Sequence, residues 1–74
     1  MTPDQTNATL LHLIELIETR VVEAGQVAKA AQACARVGNT GEAVRITLSI
    51  DEPLHEATTL SNAAALIQRL SREG

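Results

Sequence analysis

Two pairs of residues in this chain have the types and spacing that metal chemistry uses: His12 with Glu15, and Glu52 with His55. A Glu and a His three positions apart on a helix present two ligands from one face, as in di-iron helical bundles. Such a centre also needs inward carboxylates from neighbouring helices. His12 falls on the outer side of the apolar pattern described below, and Glu52 and His55 stand at a helix start. Both pairs therefore read as solvated or capping groups, and no metal or cofactor is expected. Cys34 is the single cysteine. A reactive thiol needs an electropositive, partly open setting. Cys34 stands among Ala31, Ala33 and Ala35, so it reads as a small apolar residue at an interface. No Ser-His-Asp set is recognisable by spacing. The stretch Gly38-Asn39-Thr40-Gly41 lacks the Gly-Lys-Ser/Thr element of a phosphate loop and follows a helix rather than a strand. An enzyme is not expected.

The composition narrows the remaining classes. A chain of 74 residues makes one domain, residues 1–74. Chains this short are marginal alone and rely on disulfides, a metal or self-association. One cysteine and two histidines leave self-association. The chain is 45% hydrophobic but has no aromatic residue, and twelve residues are Ala. Its core must be thin, which suits helices whose axes approach closely over Ala. A net charge of −3, with one Lys and five Arg spread along the chain, argues against a nucleic-acid partner. The missing aromatics remove the stacking platforms of single-strand binders. The densest apolar stretch, Leu10 to Ile17, is broken by His12 and Glu15 and is too short to span a bilayer. No basic, then apolar, leader opens the chain, so a cytoplasmic location is expected.

The first element reads as a long helix over residues 3–37. Thr2 is a candidate N-cap, Pro3 suits the first helical position, and Gln5 completes a capping box. Apolar or small residues recur at Leu10, Ile14, Ile17, Val21, Ala24, Ala28, Ala31 and Ala35, in alternating steps of four and three. That is a heptad seam. Leu13, Val27 and Cys34 flank it, with Arg20 as a polar break. The seam is Leu, Ile and Val in its first half and nearly all Ala in its second. Gly25 weakens the helix by about 1 kcal/mol relative to Ala. Such a helix is about 50 Å long, and the remaining chain is expected to fall short of lining it.

A Gly-rich turn follows over residues 38–42. From Ala43 to Ile50, the apolar residues Val44, Ile46, Leu48 and Ile50 alternate with Arg45, Thr47 and Ser49. A period of two predicts a half-buried strand. A lone strand cannot satisfy its own backbone, so this segment either pairs with the same segment of a second copy or lies as an extended linker on the helices. A C-terminal helix is expected over residues 52–71, capped at Asp51 and apolar along Leu54, Ala57, Leu60, Ala64 and Ile67.

The segment Val44-Arg45-Ile46-Thr47-Leu48-Ser49-Ile50 followed by a helix resembles the ribbon-helix-helix repressors. In that family two subunits form a two-stranded ribbon that reads the major groove. The resemblance implies DNA contacts from Arg45, Thr47 and Ser49. One helix follows where the family has two, and Glu42 and Asp51 flank the segment.

The pattern as a whole predicts a mainly α, helical-bundle homodimer acting as a protein–protein interaction module, a small regulator, adaptor or inhibitor. Its oligomer interface is expected at Leu10, Ile14, Ile17, Val21, Ala24, Ala28, Ala31 and Ala35, with Val44, Ile46 and Leu48 added by the paired segment. The alternative is a ribbon-type DNA-binding regulator.

Overall fold

The computed structural model describes residues 2–73. It contains three helices: α1 (Pro3–Arg36), α2 (Thr40–Leu48) and α3 (Asp51–Glu73). Helix takes up almost all of the described residues, and no strand occurs among them. The chain folds as a hairpin. One arm is α1, and the other is α2 followed by α3. The hairpin is a rod of 56 × 15 × 10 Å.

Both ends of α1 follow from local chemistry. The Thr2 hydroxyl accepts from the Gln5 backbone N–H at 3.2 Å, and Gln5 Oε1 accepts from the Thr2 N–H at 3.1 Å. This reciprocal pair satisfies two donors that the first turn leaves free. At the other end Gly38 adopts φ 83°. The Asn39 N–H then reaches the Cys34 carbonyl at 2.9 Å, and the Gly38 N–H reaches Ala35 at 3.0 Å. These are the two bonds of a Schellman cap, which needs a left-handed residue. Gly38→Ala is expected to destabilise the chain by about 1 kcal/mol, because a Cβ strains that conformation. Urea denaturation measures it; an unchanged midpoint would show that the turn can close without the left-handed residue.

The turn is shorter than the sequence predicts. Asn39 caps α2 by accepting from the Glu42 N–H at 3.3 Å, so Thr40 and Gly41 are already helical. The segment 43–50 is not extended. Ala43 to Leu48 belong to α2, and Ser49 and Ile50 link it to α3. The alternation of apolar and polar residues is incidental to a second period. Ala43, Ile46, Ile50, Pro53, Ala57, Leu60, Ala64, Ile67 and Ser71 recur in steps of three and four, and each is buried or half-buried. This row crosses the α2–α3 junction without losing register. With no strand, the intersubunit ribbon does not form.

Pro53 accounts for the junction. It has no N–H to give the Ser49 carbonyl four residues back, and its ring crowds that position. The chain tightens there instead: Ser49 N–H bonds Ile46 at 3.0 Å and Ile50 N–H bonds Thr47 at 3.1 Å. Helix then resumes at Asp51, with Pro53 tolerated in the first turn of α3.

Together α2 and α3 match α1 in length. Thr6 Oγ1 lies 3.1 Å from Ser71 Oγ, so the open ends of the two arms meet. The return arm therefore lines the whole rod, contrary to the expectation from an interrupting strand. Along α1 the inner row is Thr6, Leu10, Leu13, Ile17, Arg20, Ala24, Val27, Ala31 and Cys34. Only Thr6, Ala24 and Ala31 of that row are fully buried, joined by Ala43 and Pro53 from the return arm. Two helices side by side shield only the strip between them.

Candidate interaction surface

The hairpin is a layer one helix thick, and its two broad faces differ in chemistry. On one face the groove between the arms is lined by Ala28, Ala31, Gln32, Ala35, Ala43, Val44, Thr47 and Ile50, none of them ionisable. Heptad spacing carries this neutral row along α1 as Ile14, Val21, Ala28 and Ala35. It carries it along the return arm as Thr40, Thr47, Leu54, Ser61 and Gln68. Ile14 and Val21 remain 56% and 51% exposed. Val44 borders this groove from α2, and both it and Leu48, which points away from α1, are more exposed still.

The opposite face is charged at mid-length, where Arg20, Glu23, Val27, Ser49, Glu52, Pro53 and Glu56 line the groove. Arg20 donates from Nη1 to Glu23 at 2.8 Å and pairs through Nε with Glu56 at 3.2 Å. The second contact joins α1 to α3 and explains why a polar residue occupies the inner row. All three side chains are partly solvated. Arg20→Met is expected to cost less than about 1 kcal/mol, with the difference vanishing in high salt. Urea melts at two ionic strengths test this. A loss of several kcal/mol that persists in salt would mean that the pair is shielded from solvent.

The residues with chemical potential are dispersed. His12 and His55 are exposed, and among the described residues no three His, Cys, Asp or Glu side chains are placed to hold a metal. Cys34 is half-buried in the inner row. Arg45, Thr47 and Ser49, expected to share one face of a strand, are each tied locally on α2. Arg45 donates to Glu42, with Nε at 2.9 Å from Oε2. That hydrogen bond, helped by the charge of Arg45, lowers the Glu42 pKa. The Thr47 hydroxyl donates to the Val44 carbonyl at 2.7 Å, and the Ser49 hydroxyl to Ile46 at 2.6 Å.

The eight seam residues of α1 divide between two surfaces. Leu10, Ile17, Ala24 and Ala31 lie in the inner row, whereas Ile14, Val21, Ala28 and Ala35 lie on the neutral face. On α2, Ile46 lies in the row toward α1, and Val44 and Leu48 point outward. Leu13, Val27 and Cys34 read as a flank in the sequence because Arg20 interrupts them. The contact of Arg20 with Glu56 shows that they belong to the inner row.

Among the described residues, no helix is long and apolar enough to cross a membrane. No protein-family model, curated protein or solved structure matches the chain.

Proposed function

We propose that this chain is a non-enzymatic protein–protein interaction module, a small regulator, adaptor or inhibitor that acts as a homo-oligomer, with a dimer as its basic unit. The observation that carries this reading is the imbalance between core and surface. The buried apolar core is three alanines, Ala24, Ala31 and Ala43. Ten large aliphatic side chains remain exposed, among them Leu11, Ile14, Val21 and Leu48. A folded chain of 7.8 kDa exposes about 4,400 Å² by the usual scaling with mass. This one exposes 5429 Å². The excess of about 1,000 Å² matches one partner's share of a stable interface, about 800 Å².

Two hairpins stacked face to face make a four-helix bundle with coiled-coil-like packing. Enclosing the neutral face leaves other exposed apolar side chains outside it, among them Val22, Val37, Leu66 and Leu70. The experiment is light scattering combined with thermal melting over a hundredfold concentration range. The expected result is a mass of two chains and a melting temperature that rises with concentration. A cooperatively folded single chain with a concentration-independent melt would overturn the reading.

A further inference from the structure

We infer that the second copy docks on the neutral face with α1 running antiparallel to α1 of the partner, and that Gly25 marks the twofold axis. This rests on the homo-oligomer reading and specifies its geometry.

Three observations converge on it. The first is the absence of ionisable groups from the row Ile14, Val21, Ala28 and Ala35 and from its counterpart on the return arm. The opposite face holds Arg20, Glu23, Glu52 and Glu56. Burial against another chain removes water from charges, and the neutral face avoids that cost. A long neutral strip is best covered by another of the same kind, which a second copy supplies along most of the 56 Å rod.

The second is the size gradient along the row. Ile14 and Val21 are large, and Ala28 and Ala35 are small. An antiparallel α1 pair centred between Ala24 and Gly25 sets Ile14 level with Ala35 of the partner subunit. It sets Val21 level with Ala28 of the partner subunit. Large side chains then meet small ones at every step, as close packing requires. A parallel pair sets Ile14 against itself and leaves the alanine half loose. The charge nearest the row on α1 is Glu18, one heptad before Gly25 on the same stripe, and it falls within about one turn of the partner's Lys29, which offsets its charge.

The third is Gly25. Glycine in a helix interior lowers stability, and no turn or positive φ requires it here. A Cβ added at Gly25 would meet no atom within 4 Å, so nothing inside the chain requires its absence. Gly25 sits beside Val21 and Ala28, at the centre of the antiparallel arrangement. A bare backbone at a twofold axis lets two helices approach most closely where they cross. On the return arm, Asp51 and Arg72 are charges beside the row, so closest approach is set along α1.

The test uses the full chain in a Cys34→Ser background. Ile14→Cys with Ala35→Cys in one chain is expected to give a covalent dimer on oxidation. The two positions lie about 30 Å apart within one α1 and cannot bridge internally. Gly25→Cys alone is expected to cross-link as well, and Ile14→Cys alone is not. Gly25→Leu is expected to weaken self-association at least about tenfold, read by dilution in light scattering. Cross-linking by Ile14→Cys alone, or by Ile14→Cys with Ser61→Cys in place of the Ala35 pair, would overturn the orientation. Undiminished association of Gly25→Leu would overturn the axis. A wild-type mass of one chain would instead remove the homo-oligomer reading itself, so the two failures are separable.

Discussion

Replacing Ala31 with Glu is expected to abolish the folded hairpin. Ala31 is 6% exposed and shares its groove with Ala43, at 8%. No basic residue lines that groove, so the new carboxylate would be buried without a partner. It would also need space that two facing alanines do not leave. An unpaired charge in such a site costs about 3 kcal/mol or more. A chain of 74 residues has a total stability of the same order, about 4–11 kcal/mol. The variant should therefore lose most of its helical circular dichroism at room temperature. Ala33→Glu, on the exposed outer side of α1, controls for charge and helix propensity and should melt like the wild type. Equal stability of the two variants would mean that Ala31 does not face the return arm.

Val21→Glu is the second large effect, and it separates a lone hairpin from an assembled one. In a single chain Val21 is half exposed, and a surface substitution there changes stability by about 0.5 kcal/mol or less. In the proposed bundle the same change sets a carboxylate from each copy into a dry apolar contact. The expected result is dissociation to one chain and loss of most of the helix at micromolar concentration. A hairpin whose fully buried apolar side chains are so small is expected to be marginal without the proposed partner. Sedimentation and circular dichroism on one sample read both consequences. A wild-type melt and a wild-type mass together would show that Val21 faces only water.

The parts of this fold that were legible in the sequence are those fixed by local chemistry. Thr2, Pro3 and Gln5 announce the start of α1, and Gly38 announces its end. The spacing of Ala57, Leu60, Ala64 and Ile67 announces the inner side of α3. What was not legible is α2. Its outward residues Val44 and Leu48 are apolar too, and with the inward Ile46 they produce an alternation that imitates a strand. Both are well exposed on the outer side of α2, so the alternation reports no burial. The inner row of α1 was half hidden for a different reason. Arg20 and Cys34 break its apolar run, whereas the neighbouring row through Ile14 and Val21 is uninterrupted. The partner of Arg20, Glu56, lies 36 positions away, a distance that no local pattern reports.

The single connection at Gly38 and Asn39 also dictates an order of events. Partners across the hairpin are a few residues apart beside that corner and 65 apart where Thr6 meets Ser71. Closing a short loop loses less chain entropy than closing a long one, so zippering should start at the corner and run outward. The reverse motion is fraying from the open end. Backbone amides around Leu10 and Leu66 should exchange with deuterated solvent well before those around Ala31 and Ile46.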